Sequence, residues 1–312
     1  MPLPLANPLA QPRVHPPTRT QSRVFNAPFP LRLWHLASLD APTVAVAWSS
    51  GFAWAAGIQL PRWVLLLLFL GTWSVYIGDR LLDFHAAQRT GSLQRLRDRH
   101  YFHWRHRKLL LAVAISAAST AAALIFIRMP LPIRERNSIL GIAALAYFTG
   151  VHSAGKLPSL LPAWSRRLTS KEFLVGILFT AGCAAPVFSR LHPIGSLSAH
   201  WPFSLAAAFF AALAWLNCVA IESFESPIPA PMHPRALALA LAGLVLVAGF
   251  TVIHPRAAAL LLAGSASALL LAFLDRARHR LTPMALRIAA DLALLTVIFP
   301  FMLSAPLGPR LP

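Results

Sequence analysis

The sequence is short of charged residues, and it is especially short of acidic ones. Only 12% of its 312 residues are charged, and 57% are hydrophobic, whereas an ordinary soluble domain is about 25% charged. A water-soluble globule of this composition would expose large apolar patches, which associate or precipitate. The shortage therefore argues against a soluble enzyme, a coiled coil and a disordered chain, and it favours a polytopic membrane domain.

Cysteine is also scarce. The chain has two cysteines, Cys183 and Cys218, and each lies inside an apolar stretch. Two thiols in such positions argue against a disulfide framework and are typical of small buried hydrophobic side chains.

Basic residues, by contrast, are numerous. The 28 lysines and arginines outnumber 10 acids and give a formal net charge of +18. In a soluble protein this excess would suggest nucleic acid binding, but here the basic residues are spread over several loops between apolar stretches. Loops held against an anionic cytoplasmic leaflet have this composition. We therefore expect a lipid bilayer as a partner and no nucleic acid.

The chain divides into three parts by composition. Residues 1–31 contain eight prolines and three arginines, which predicts a disordered basic tail. Residues 32–304 predict a single transmembrane helical domain, and residues 305–312 predict a short tail. The fold class that we expect is all-α, a polytopic membrane bundle of about nine transmembrane helices. The nine apolar stretches are 34–57, 62–84, 109–128, 137–152, 172–189, 202–222, 236–253, 257–274 and 284–304.

The distribution of Lys and Arg predicts the orientation of the bundle. With the N-terminus in the cytoplasm, 21 of the 28 basic residues fall on the cytoplasmic side and 7 on the other. A threefold asymmetry of this kind agrees with the positive-inside rule. We therefore expect an integral membrane protein, of the bacterial inner membrane, with a cytoplasmic N-terminus and an external C-terminus.

Two carboxylates mark the end of the second apolar stretch. Asp79 and Asp83 are four residues apart, so in a helix they lie on one face, one turn apart. Two hard oxygen ligands at this separation suit a Mg²⁺ ion shared with substrate phosphates. The alternative is an acidic helix end that is paired with a loop arginine.

The sixth apolar stretch ends with a second polar group. Asn217, Glu222 and Glu225 project within about a third of the helix circumference, and they are again typical of a hard-cation site. Two such ends that face each other would bind a diphosphate through metal ions, and nearby basic side chains would meet its remaining charge. The basic candidates are Arg80, Lys156, Arg166, Arg167 and Lys171.

These residues carry a resemblance to a known family. The run from Val75 to Asp83 resembles the first aspartate-rich motif of UbiA-type intramembrane prenyltransferases, N-D-x-x-D-x-x-x-D, with its last two aspartates at Asp79 and Asp83. The run from Asn217 to Glu225 lies where that family has its second acidic motif. Val75 and Tyr76 replace the opening Asn-Asp, so the chain resembles a divergent member.

The resemblance implies a chemistry. Asp79, Asp83, Asn217 and Glu225 would hold Mg²⁺, and Glu222 would join them in the catalytic set. The donor would be an isoprenyl diphosphate, and the acceptor would be an aromatic or other lipophilic molecule. A transporter or a UbiA-like protein without catalysis is the alternative.

A histidine cluster suggests a different metal. His100, His103 and His106 are spaced to share a helix face, and with His85 they could bind a transition metal, as in a membrane di-iron oxidase. The arginines around them would repel a cation, and a basic, aromatic helix at the membrane interface is the alternative.

Two acids lie within apolar stretches, Asp40 and Asp291. Ionisable groups at such depth mark ion pathways in transporters. Arg287 precedes Asp291 by one turn, so an ion pair within one helix is the simpler expectation for this acid.

Overall fold

The computed structural model of this protein describes residues 25–91, 96–153, 171–191, 197–226 and 230–303. Within these ranges the regular structure is helical, apart from one isolated bridge between Phe25 and Leu281. The expected all-α class is confirmed for the part of the chain that the structure describes. The helices are α1 (Phe29–Leu36), α2 (Asp40–Ala55), α3 (Arg62–Thr90), α4 (Asp98–Arg105), α5 (Arg107–Arg128), α6 (Leu131–Ser153), α7 (Lys171–Phe188), α8 (Leu197–Glu225), α9 (His233–Phe250), α10 (Pro255–Ala277), α11 (Pro283–Ala293) and α12 (Ile298–Leu303).

Each of the nine apolar stretches falls on one or two of these helices. Among the described residues, seven segments are long and apolar enough to cross a bilayer. They are Arg62–Arg89, Arg107–Arg128, Lys171–Phe188, Trp201–Glu225, His233–Phe250, Pro255–Arg280 and Pro283–Pro300. The stretches 34–57 and 137–152 are not among the seven. The first is divided into two short helices, and α6 begins with charged turns that shorten its apolar part.

The break in the first stretch lies at Ala37–Leu39. Ser38 has a φ of 55°, which a continuous right-handed helix does not allow. The freed carbonyl of Ala37 accepts a hydrogen bond of 2.9 Å from Nε1 of Trp73 on α3. Pro42 lies in the first turn of α2, where a helix needs no backbone N–H. This proline therefore does not kink the helix.

Consecutive long helices alternate in direction, and their ends meet at two opposite ends of the bundle. At one end Arg287 near the start of α11 binds Glu225 at the end of α8. At the opposite end Arg256 Nη1 donates to the carbonyl of Trp54, joining the start of α10 to the end of α2. We call the first the polar end, because the acidic residues of α3, α8 and α10 lie there.

The core lies where α2, α8 and the last helices meet. Trp48 stacks on Phe210 with a centroid separation of 3.9 Å, and its Nε1 donates to the carbonyl of Leu294 at 2.8 Å. The chain is a 3₁₀ helix from Leu294 to Val297, which interrupts the last predicted stretch. Thr296 fixes this interruption by donating to the carbonyl of Ala263 at 2.7 Å. Such breaks occur in membrane helices when neighbouring groups satisfy the freed backbone.

Small residues let α9 and α10 pack closely. A Cβ atom added at Gly243 would lie 2.1 Å from Oγ of Ser265 and 2.7 Å from Cζ of Phe209. The two helices therefore approach each other where only glycine fits, as is common for helices packed within membranes.

Candidate polar site at one end of the bundle

The short helix α4 connects the two acid-bearing helix ends. Its residue His100 places Nε2 at 3.6 Å from Oδ2 of Asp83 on α3. The preceding residue, Arg99, places Nη1 at 2.5 Å from Oε1 of Glu225 on α8. Consecutive residues of one turn thus contact both ends, although α3 and α8 are far apart in sequence.

The sequence of α4 explains why it begins where it does. Asp98 lies in the first turn, where a negative charge stabilises the helix dipole. The backbone N–H of Arg97 donates to Nδ1 of His100 at 3.1 Å, so a side chain in the first turn satisfies a group before it. This bond also fixes the ring of His100 with its Nε2 toward Asp83.

Glu225 lies among three guanidinium groups. Arg99 and Arg287 approach its Oε1 at 2.5 and 3.1 Å, and Nε of Arg97 lies 3.5 Å from its Oε2. Arg97 also donates to the backbone carbonyl of Glu225. One buried carboxylate therefore holds three positive charges, and this corner of the site carries an excess of positive charge. In this structure Glu225 is an ion-pair partner, whereas the sequence predicted a metal ligand.

The two aspartates of the first motif lie on one face of α3, as its continuous helix requires. Oδ2 of Asp79 lies 3.2 Å from Nη1 of Arg80. Asp83 meets His100, and Lys171 at the start of α7 is close enough to interact with it electrostatically. Both carboxylates keep partial solvent exposure, at 22% and 29% of the side chain.

The remaining predicted residues of the second motif separate. Asn217 is buried, and its Nδ2 donates to Oδ1 of Asp291 at 3.3 Å. Glu222 is exposed. The sequence predicted that Asn217, Glu222 and Glu225 share one site, and in the structure each has a different environment.

The predicted basic residues are partly placed. Arg80 is buried, with its guanidinium carbon 5.8 Å from the ring centroid of Tyr76, and Lys171 begins α7. Lys156, Arg166 and Arg167 lie outside the described residues.

Sequence reasoning missed the arginines that bind Glu225. The sequence predicts that Arg99 would repel a metal at the histidine cluster and that Arg287 pairs with Asp291, and it gives Arg97 no role in the site. Among the described residues, Arg287 forms its ion pair with Glu225, and Asp291 acts on it electrostatically from beyond ion-pair distance. The scarcity of acids is the signal that could have indicated this pairing, because an arginine-rich segment beside the bundle must share the few carboxylates at that end.

The two histidines of α4 and His106, which follows it, have different partners. His100 contacts Asp83, and His103 Nδ1 lies 2.7 Å from the carbonyl oxygen of Arg99. Nε2 of His103 lies 3.3 Å from Oγ of Ser38. His106 follows the end of the helix and packs on Phe102 at 4.8 Å. The contacts of His100 with Asp83 and of His103 with Ser38 join α4 to the rest of the bundle.

Burial sets the proton affinity of the groups on α4. Burial, with Arg80 and His100 nearby, lowers the pKa of His103 to about 4 despite its backbone hydrogen bond. The pKa of His100 is also lowered, chiefly by burial. Burial and the positive charges of Arg287 and Arg80 lower the pKa of Arg99 to about 9. Both imidazoles are therefore neutral at neutral pH, and the positive charge of the site comes from its arginines.

The two acids within apolar stretches lie next to each other. Asp40 begins α2 and Asp291 lies on α11. The carboxylates of both lie close to the imidazole of His35 on α1. The sequence marked the two acids and missed the histidine between them.

No protein-family model, curated protein or solved structure matches this chain.

Proposed function

We propose that this chain is a divergent UbiA-like prenyltransferase. It would transfer an isoprenyl group from an allylic diphosphate to an aromatic or other lipophilic acceptor, with Mg²⁺ as cofactor. One observation supports this proposal above others: the acid-bearing ends of α3 and α8 both contact α4, beside an excess of arginine. Carboxylates and arginines at one end of an apolar bundle fit a molecule with a diphosphate head and a hydrocarbon chain.

The carboxylates of Asp79 and Asp83 suit Mg²⁺. They are one turn apart on α3 and partly exposed, and Mg²⁺ takes one or two carboxylates while keeping water and phosphate ligands. When bound, Mg²⁺ would neutralise charge on the leaving diphosphate.

The arginines have a complementary role in the proposal. Glu225 holds Arg99 and Arg287 at the polar end before substrate arrives. Guanidinium groups placed in advance stabilise charge that develops on a leaving group, because they need no reorganisation during the reaction. Glu225 is then a positioning residue, and this role differs from the metal ligation that the family resemblance implies.

The proposed reaction balances as a substitution. The allylic C–O bond breaks, and its electron pair stays on the diphosphate, which the arginines bind. The acceptor forms the new bond to the allylic carbon and loses a proton to solvent or a nearby base. The apolar helices surround the hydrocarbon and limit capture of the cation by water.

The test is a transfer assay on the protein in lipid nanodiscs. Allylic diphosphates of several chain lengths are offered with Mg²⁺ and aromatic acceptors, and prenylated product and diphosphate are measured. The double variant Asp79→Asn/Asp83→Asn should lose at least about 100-fold in rate. Asp98 lies at the same end of the bundle and is exposed, so Asp98→Asn should keep the original transfer rate. Transfer at the original rate by the double variant would contradict the proposal.

Cation-coupled transport is the second candidate function. The buried pair Asp40 and Asp291, next to His35, is the observation that favours it, because ionisable groups among apolar helices mark ion pathways. Proton uptake into vesicles that is abolished by Asp291→Asn, together with absent transferase activity, would favour transport. Absence of both activities would favour a UbiA-like protein without catalysis.

A further inference from the structure

A buried group of three side chains lies beside the diphosphate site proposed above. His35 comes from the end of α1, Asp40 from the start of α2, and Asp291 from the last turn of α11. Nδ1 of His35 is 2.7 Å from Oδ2 of Asp40 and 3.8 Å from Oδ2 of Asp291. One ligand atom from each residue lies within 4.8 Å of the other two. Their side chains are only 3%, 8% and 13% exposed.

The charges of this group do not balance within it. Two carboxylates lie side by side out of water, and such neighbours do not both stay ionised without a cation between them. His35 is hydrogen-bonded to Asp40, whereas no donor among the described residues is hydrogen-bonded to Oδ2 of Asp291. Arg287 on α11 is close enough to act electrostatically on both carboxylates, but its guanidinium donates to Glu225. Among the described residues, Asp40 and Asp291 lie within ion-pair distance of His35 and of no arginine.

A fourth side chain independently suggests a ligand. Asn217 is 5% exposed. Its Nδ2 donates to Asp291, and its buried Oδ1 has no hydrogen-bond partner in the part of the chain that the structure describes. A buried amide oxygen without a donor keeps its desolvation penalty uncompensated. Rotating the carboxamide by half a turn exchanges its oxygen and nitrogen. The rotated amide would offer a further oxygen toward the group at Asp291.

We propose that His35, Asp40, Asp291 and Asn217 form a binding site for a divalent transition-metal ion of the Zn²⁺ class. One imidazole nitrogen with carboxylate and amide oxygens suits such an ion better than Mg²⁺, which prefers oxygen ligands alone. Tetrahedral ligands about 2.0–2.2 Å from zinc are roughly 3.3–3.6 Å from one another. The separations of 2.7 and 3.8 Å lie on either side of that value.

The site would join four helices at the polar end. Its ligands come from α1, α2, α8 and α11, and α1 is too short to be stable alone. The ion would hold α1, and with it the corner at Ser38 that receives His103 of α4. This site goes beyond the proposed transferase function. It uses neither Asp79 nor Asp83, and it shares with the family-derived magnesium set only Asn217.

Metal binding by the purified chain tests the proposal. The full chain, purified with a tag that contains no histidine, is stripped with chelator and titrated with Zn²⁺ by calorimetry and with Co²⁺ by visible absorption. We expect one ion per chain. The visible spectrum of the bound Co²⁺ should be that of cobalt with nitrogen and oxygen ligands. Asp291→Asn and His35→Gln should each weaken binding at least about 10-fold.

A second histidine–aspartate pair provides the matched control. His233 Nδ1 lies 3.2 Å from Oδ2 of Asp275, but among the described residues no third ligand completes a metal group there. His233→Gln should therefore bind Zn²⁺ like the unchanged protein.

Two results would overturn the proposal. Absence of a bound ion in the unchanged protein would mean that the carboxylates share a proton. Equal affinity in His35→Gln and the unchanged protein would place the ion elsewhere. If Asp291→Asn fails to fold, His35→Gln alone decides, because it keeps both carboxylates. Mg²⁺-dependent diphosphate binding, measured on the same samples, reports separately on the transferase proposal.

Discussion

Glu225 shows at the scale of one residue how a chain with few acids uses them. Its carboxylate contacts Arg97, Arg99 and Arg287, which come from the segment before α4, from α4 and from α11. A buried ion pair is not strong evidence for stability, because desolvation offsets much of its attraction. Removing the carboxylate has a larger effect, since Arg99 and Arg287 would remain largely buried without a counter-charge.

Replacing Glu225 with glutamine should therefore destabilise the protein by about 3–5 kcal/mol. The measurement is thermal unfolding in detergent, followed by circular dichroism. Glu222→Gln is the matched control, because Glu222 lies on the same helix end but is exposed; its effect should stay within about 0.5 kcal/mol. Equal midpoints for the two variants would contradict the role given to Glu225.

His103 should make the stability of the protein depend on pH. Its pKa falls from an ordinary 6.5 to about 4 in the folded chain, so the unfolded chain binds the proton more readily. The stabilisation is complete above about pH 6.5 and is lost as the pH falls toward 4. The loss reaches at most about 3 kcal/mol. The groups that face the ring are Ser38, Asp40, Arg80, Arg99 and His100.

The check is the free energy of unfolding at pH 7, 5.5 and 4 for the unchanged protein and for His103→Asn. The difference between the two proteins should shrink as the pH falls, because asparagine does not titrate. His279→Asn changes an exposed histidine at the same end of the bundle and should follow the unchanged protein. A difference that is constant with pH would refute a neutral, buried His103.

At the scale of the helices, the sequence predicted where helices lie better than where they break. Apolar runs predicted every long helix, because a run of about 20 apolar residues in lipid must satisfy its own backbone. The interruptions at Ser38 and at Leu294–Val297 were not predicted. Each depends on a partner far away in sequence, Trp73 in one case and Trp48 in the other.

The close contact of α9 and α10 gives a prediction at this scale. Gly243→Leu should destabilise the bundle by about 1–3 kcal/mol or more, because a Cβ there already overlaps Ser265 and Phe209. Gly249→Leu on the same helix meets nothing within 4 Å and should be tolerated. The two variants are compared by their monodispersity in detergent and by their unfolding midpoints. Similar loss in the two variants would contradict the close packing assigned to Gly243, because leucine is a better helix former than glycine at both positions.

At the scale of the whole molecule, alternating helix direction brings the acidic ends together. The sequence predicted this convergence, because each helix crosses the membrane once and every second loop therefore lies on the same side. It could not predict the arrangement within the polar end, where α4 lies between α3 and α8 and His35 meets Asp40 and Asp291. These contacts depend on side-chain packing among segments that sequence periodicity leaves unrelated.

The orientation of the bundle in the membrane is a prediction for the whole molecule. The polar end should face the cytoplasm, because most basic residues lie on that side. Single cysteines at Pro130 and His279, both exposed, mark the two ends in a background where Cys183 and Cys218 are alanine. In right-side-out vesicles an impermeant maleimide should label Pro130→Cys and spare His279→Cys. The reverse pattern would invert the topology.

Binding of an allylic diphosphate is the most direct measurement of the central claim. The protein in nanodiscs is titrated with geranyl, farnesyl and longer diphosphates, with Mg²⁺ or with chelator. The proposed site predicts saturable binding that requires Mg²⁺ and weakens at least about 10-fold in Asp79→Asn/Asp83→Asn but not in Asp98→Asn. Binding that is unchanged by chelator and by the double variant, or absent for every chain length, would contradict it.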